Sequence, residues 1–266
     1  MKMTKSRHKV FIGAAIKSNF GSTFTVIEKV EDKKYLVRFN NSGYEKVCHI
    51  SCISRGKVKD PNSRTITGVG FIGCGPYKAR SKDGSGIEKS YQCWKDMIIR
   101  CYSDEYHKLR PTYKVCTVCD EWHNYQNFAK WFEGNYPKDG RTYHLDKDLK
   151  VIGNKIYSPE TCMFIDPVVN AFIGSGSSSR NNLMIGVSKS QCGKKFCAFC
   201  RDVKLNKTKR LGTFLSEIDA HKAWRKAKSD GASYLASVQI NIEVRNAILG
   251  WKDAIDNEVI YPYSKQ

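Results

Sequence analysis

The stretch Tyr143–Asn170, YHLDKDLKVIGNKIYSPETCMFIDPVVN, decides how the rest of the chain is read. It opens with a carboxylate cluster, Asp146 and Asp148 on either side of Lys147, with His144 just upstream. Gly153-Asn154 marks a turn, Ser158-Pro159-Glu160 follows, and Cys162-Met163-Phe164-Ile165 is a short apolar run. Asp166-Pro167 has the form of an N-cap with proline at the first helical position. The order strand, loop, strand, helix predicts a hairpin-plus-helix unit. It sets Asp146, near the end of the first strand, close to Asn170 on the first turn of the helix. Two hard oxygen donors facing each other suit Mg²⁺, with water and phosphate filling its other positions. The competing reading is an ordinary surface hairpin carrying a solvated charge cluster.

Composition sets the class of partner. In 266 residues there are 45 Lys plus Arg against 26 Asp plus Glu, a net charge of +19. An excess spread through every segment points to a polyanion, and nucleic acid, DNA or RNA, is the leading one. A membrane surface fits less well, because no basic amphipathic helix stands out and no apolar span approaches membrane length. Met1–Arg7 is basic, but the apolar run behind it is too short for a signal peptide. The 11 cysteines then read as reduced thiols, and a cytoplasmic location is expected.

Outward from the central stretch, residues 1–58 alternate β-rich runs with turns. The runs are Val10–Gly13, Thr23–Ile27, Tyr35–Phe39 and Glu45–Ile50, and they predict a small β-barrel-like module or curled sheet, with an accessory binding role or that of a passive cap. Residues 59–89, rich in Gly, Ser, Lys and Asp, read as a basic connector. Apolar positions Trp94, Met97, Ile98 and Cys101 fit one helix face, and Trp122, Phe128 and Trp131 fit a second helical pattern over Val115–Trp131. Cys116 and Cys119 have half the spacing of a structural Zn²⁺ site, with Cys101 and Cys162 as the candidates to complete it. The Gly/Ser run within 174–182 reads as a flexible linker.

Residues 183–258 predict three strands, near Leu183–Lys189, Lys195–Arg201 and Arg210–Phe214, then a helix opening at Ser216-Glu217. In the middle strand, alternation puts Phe196, Ala198 and Cys200 on one face and Lys195, Cys197, Phe199 and Arg201 on the other. A sheet backed by one helix leaves a face free to enter a major groove. The tail Val238–Trp251 adds a further helix to this segment.

Two resemblances follow from these residues. The 143–170 unit resembles the ββα-metal (HNH) motif of bacteriophage homing endonucleases, with Asp146 and Asn170 at the metal positions and Asn154 and Ser158-Pro159-Glu160 in the loop. The general-base histidine of that family is replaced by Lys147, with His144 nearby as the other candidate. The 183–258 segment resembles the Apetala-type (ethylene-response-factor) DNA-binding domain through Ile185-Gly186-Val187, Phe196, Ala198, Leu211-Gly212-Thr213-Phe214 and the Glu217/Ala220/Ala223 helix. Together they imply an α+β chain with an HNH nuclease core over 90–173 and a sequence-reading sheet domain at its C-terminal end. The implied activity is a metal-dependent DNA endonuclease, a phosphodiester hydrolase of the homing type. Mg²⁺ on Asp146 and Asn170 would stabilise the leaving oxygen, and His144 or Lys147 would activate water or, for Lys147, clamp phosphate. Lys189, Lys195, Arg201, Lys204 and Arg210 are the implied DNA contacts. The rival expectation is a sequence-specific DNA-binding protein whose nuclease core has decayed, which the missing histidine favours.

Overall fold

A computed structural model describes residues 8–81, 83–174 and 183–261. The chain divides into two compact units, residues 1–133 and 134–266. The fold is mixed, with seven helices and several small sheets among the described residues, none of them closed into a barrel.

The first unit begins with strands β1 (Ala15–Lys17), β2 (Thr23–Glu31), β3 (Lys34–Phe39) and β4 (Glu45–His49), antiparallel neighbours in that order. The barrel-like expectation is corrected here. The sheet stays open because β1 is only three residues long and helix α1 (Ile50–Ser54) and Val58 cover the apolar face instead of further strands. Ile16, Phe24, Val26, Val37 and Phe39 are buried beneath Ile53 and Val58. The first strand also falls later than its sequence suggests. Gly13 takes φ +87°, Ala14 N–H closes a turn on Phe11 O at 3.0 Å, and Phe11 and Ile12 are left exposed. Glycine at positive φ ends the run that β-propensity favours.

Helix α2 (Lys89–Tyr102) buries Trp94, Met97, Ile98 and Cys101, the face that its periodicity marks. Helix α3 (Asp104–Leu109) and strand β5 (Thr117–Val118) follow. The second helical pattern starts later than expected. Asp120–His123 form a 3₁₀ turn, and α4 (Tyr125–Asn135) begins only after Asn124, whose Oδ1 accepts from Gln126 N–H at 3.0 Å. A side chain that caps the helix from outside fixes its start. Residues 59–89 carry no long element, yet they are clamped. Gln126 Nε2 donates to Ile72 O and Tyr77 O, each at 3.0 Å, and Oε1 accepts from Tyr77 N–H at 3.0 Å.

The second unit contains a hairpin of β6 (His144–Asp146) and β8 (Met163–Ile165), with β7 (Ile156–Tyr157) in the connection, then α5 (Pro167–Gly174). Strands β9 (Val187–Lys189), β10 (Phe196–Asp202) and β11 (Lys207–Phe214) form an antiparallel sheet in the order β11-β10-β9. Helices α6 (Glu217–Val238) and α7 (Ile242–Asp256) complete the unit. The 175–182 part of the expected linker lies outside the described residues. One core binds the hairpin to the last helices: Leu149, Met163, Ile165, Val169 and Phe172 pack with Leu235, Ala236, Val244, Ile248 and Trp251. A smaller core of Met184, Val187, Ala198 and Ala220 joins the sheet to α6. No helix among the described residues is long and apolar enough to cross a membrane.

Candidate metal centre and nucleic-acid interface

Strands β6 and β8 pair in the register His144↔Ile165, Leu145↔Phe164, Asp146↔Met163. Residues two apart on a strand share a face, so His144 and Asp146 project to one side. Asp166 Oδ1 caps α5 by accepting from Val168 N–H at 2.7 Å, and Pro167 supplies the first helical residue. This brings Asn170 back over the hairpin, where its Nδ2 lies 2.9 Å from His144 Nδ1. An amide nitrogen only donates, so in this contact Nδ1 of the ring is the acceptor. Asn170 keeps its carbonyl oxygen for another partner.

Asp146 is buried, and its Oδ2 accepts from the backbone N–H groups of Asp148 at 2.8 Å and Leu149 at 2.6 Å. Burial pushes the carboxyl above the usual range, with those N–H bonds and Lys147 acting in the opposite sense. Lys147 is itself buried, and its Nζ is ion-paired with Asp148 at 2.7 Å and lies 5.6 Å from the Tyr157 ring centre. An ammonium held against a carboxylate has no lone pair to take a proton. Asn154 organises the connection: its Nδ2 donates to Lys147 O at 2.9 Å and Ile156 O at 2.7 Å, and its Oδ1 accepts from Ile156 N–H at 3.1 Å.

The donor types suit a hard divalent ion. Asp146 supplies a carboxylate whose Oδ1 is not used by those backbone groups, and Asn170 supplies a neutral oxygen. Among the described residues no group of three or more His, Cys, Asp or Glu could hold a metal ion. A site here would therefore take one carboxylate and one amide, with water and substrate oxygens completing it. Cys116 and Cys119 flank β5, Cys116 donating from Sγ to Thr112 O at 3.8 Å. Cys101 lies at the end of α2, and Cys162 precedes β8 in the second unit.

The sheet distributes the five basic candidates unequally. Antiparallel partners share a face. The helix-covered side holds Val187, Phe196 and Ala198, and the opposite side holds Ser188, Cys197 and Thr213. A bulge at Leu211 restores alternation, so that Phe199 pairs with Arg210 and Arg201 with Thr208 on that free side. Arg201 and Arg210 thus stand on the free face. Arg201 Nε donates to Asn206 Oδ1 at 3.0 Å, and Arg210 Nη2 donates to Thr213 Oγ1 at 2.6 Å and Cys197 Sγ at 3.3 Å. Lys195 is exposed in the β9–β10 turn. Lys189 pairs with Phe196 and so belongs to the helix-covered side, and Lys204 lies with Nζ 4.7 Å from the Tyr234 ring centre on α6. Ser188, Phe199, Thr208 and Thr213, missed by a search for charge, complete the free face; strand alternation with the bulge is the signal that identifies them.

Comparison with family models, with curated proteins and with solved structures returns no match to this chain. The functional reading therefore stands on the residues themselves.

Proposed function

We propose that the chain is a metal-dependent DNA endonuclease of the HNH homing type, with a sheet that reads duplex sequence beside a hairpin that cuts. The observation that carries the reading is the meeting of His144 and Asn170 across β6 and α5, two residues from Asp146. Asp146 and Asn170 would hold the divalent ion, which supplies Lewis-acid stabilisation of the leaving oxygen. His144, exposed, is the proton acceptor, and Asn170 must release Nδ1 before it takes a proton from water. Lys147, tied to Asp148, serves the hairpin's structure rather than the base role.

On the sheet, Arg201 and Arg210 are diagonal neighbours on paired strands, about 7 Å apart. That spacing is close to two base-pair steps at about 3.4 Å each. Each guanidinium is held by a neighbouring side chain, Asn206 in the β10–β11 turn for Arg201 and Thr213 on β11 for Arg210, which lowers the entropy cost of a bidentate contact with guanine. A second reading, sequence-specific binding without cleavage, is favoured by the ion pair at Lys147, since the position of the family's base carries none.

Supercoiled and linear duplex DNA incubated with Mg²⁺ or EDTA, beside Asp146→Ala, tests the proposal. Nicking that needs the metal and is lost in the variant is the expected result. Salt-sensitive binding with no cutting in any lane overturns the nuclease reading and leaves the second.

A further inference from the structure

Helix α6 carries a lysine where the core is most apolar. Lys228 is 1% exposed, its Nζ 3.9 Å from the centre of the Phe172 ring and 5.9 Å from that of Trp224. Its ammonium donates to the main-chain oxygen of Phe172 on α5. That oxygen lies near the C-terminal end of α5 (Pro167–Gly174), where the helix dipole favours a cation. A buried cation is costly unless it finds such a group. Three residues along α6, Gly231 lets the helices approach: a Cβ there would lie 3.1 Å from Phe172 Cε2. Asn170, which meets His144, precedes the capped residue by two positions.

We propose that Lys228 is a positioning residue for the hairpin site: by capping α5 from the sheet-bearing helix, it sets the axial position of α5 and keeps the Asn170 amide on His144. The proposal rests on the nuclease reading for its functional meaning, but the contact itself is independent of it. Burial pulls the Lys228 ammonium down to about 8, while the neighbouring Cys200 on β10 acts in the opposite sense, so the cation persists at neutral pH. The sheet and the site then share one rigid element, and a cut falls at a fixed offset from the bound sequence.

The test is a long-range ¹H–¹⁵N spectrum of the His144 ring, which reports its tautomer without DNA or metal. Wild type should show the single Nε2–H form that the Asn170 contact demands. Lys228→Met should show both tautomers while binding duplex DNA within twofold of wild type. If Lys228→Met fails to fold, Lys228→Gln, whose amide reaches one bond less far, should show the same mixture. A folded variant that melts earlier yet keeps the single tautomer overturns the proposal, because Lys228 would then be a core residue only. Failure of the wild-type protein to nick DNA counts against the nuclease reading alone, since the spectrum is read without substrate.

Discussion

Gly186, at φ +80°, has the least room of the described glycines in the second unit: a Cβ there would lie 2.1 Å from Trp224 Cδ1. Gly186→Ala must displace the indole or the strand entry, and it should cost about 3 kcal/mol or more in denaturant unfolding, at the upper end of overpacking effects. Asp146 offers a test of opposite sign. Burial raises its carboxyl pKa, so its contribution to stability is complete below the unfolded-state value and is lost as pH rises through the folded one. Asp146→Asn keeps an oxygen for the N–H groups of Asp148 and Leu149 and removes the buried charge. It should raise Tm at neutral pH and, under the proposed function, abolish cleavage. Divalent-ion affinity of the wild type should begin to fall at a pH above the ordinary carboxylate value of about 3.9; isothermal titration at a series of pH values reads this directly. At Arg210, replacement by Ala should cost about 1–3 kcal/mol of binding and relax selectivity at one base pair, whereas Lys195→Ala should weaken all sequences alike and reduce the salt slope by about 1. Competition assays with single-position variants of a bound sequence separate the two behaviours.

Elements test the loop that lacks elements. Gln126 is 8% exposed and makes hydrogen bonds to Ile72, Tyr77 and, through its carbonyl oxygen, Tyr77 N–H. Gln126→Leu leaves those backbone groups unpaired and should cost about 2–4 kcal/mol, seen as early hydrogen exchange in residues 71–78. Sequence showed the periodic elements well: the α2 face, the N-cap and proline of α5, and the alternation of β10 all rest on local patterns that tertiary contacts reinforce. It misplaced what depends on a single backbone conformation. Gly13 ends the first β-rich run, and Asn124 delays α4, and neither is distinguished by hydropathy. The candidate site was legible as residue types at a spacing. The pairing of His144 with Asn170, the retreat of Lys147 into an ion pair and the turning of Lys204 toward Tyr234 were not, since each depends on a contact distant in sequence or on a rotamer. The clamp at Gln126 was hidden for the same reason.

At the scale of the whole molecule, the proposed function and a net charge of +19 together predict an affinity for DNA that falls steeply with salt, the slope counting the phosphates neutralised. The sheet and hairpin lie in one compact unit, held by the core in which Phe172 and Ile173 meet Leu235, Val244, Ile248 and Trp251. That shared core changes what can be inherited or transplanted. A fragment starting at residue 183 keeps the sheet but presents the apolar sides of α6 and α7 to water, and such a piece should aggregate when expressed alone. A fragment starting at residue 134 carries its own covering. If the proposed function holds, recombination that exchanges the sheet between such chains has to cut ahead of the hairpin, and a new specificity arrives with its own cutting site attached.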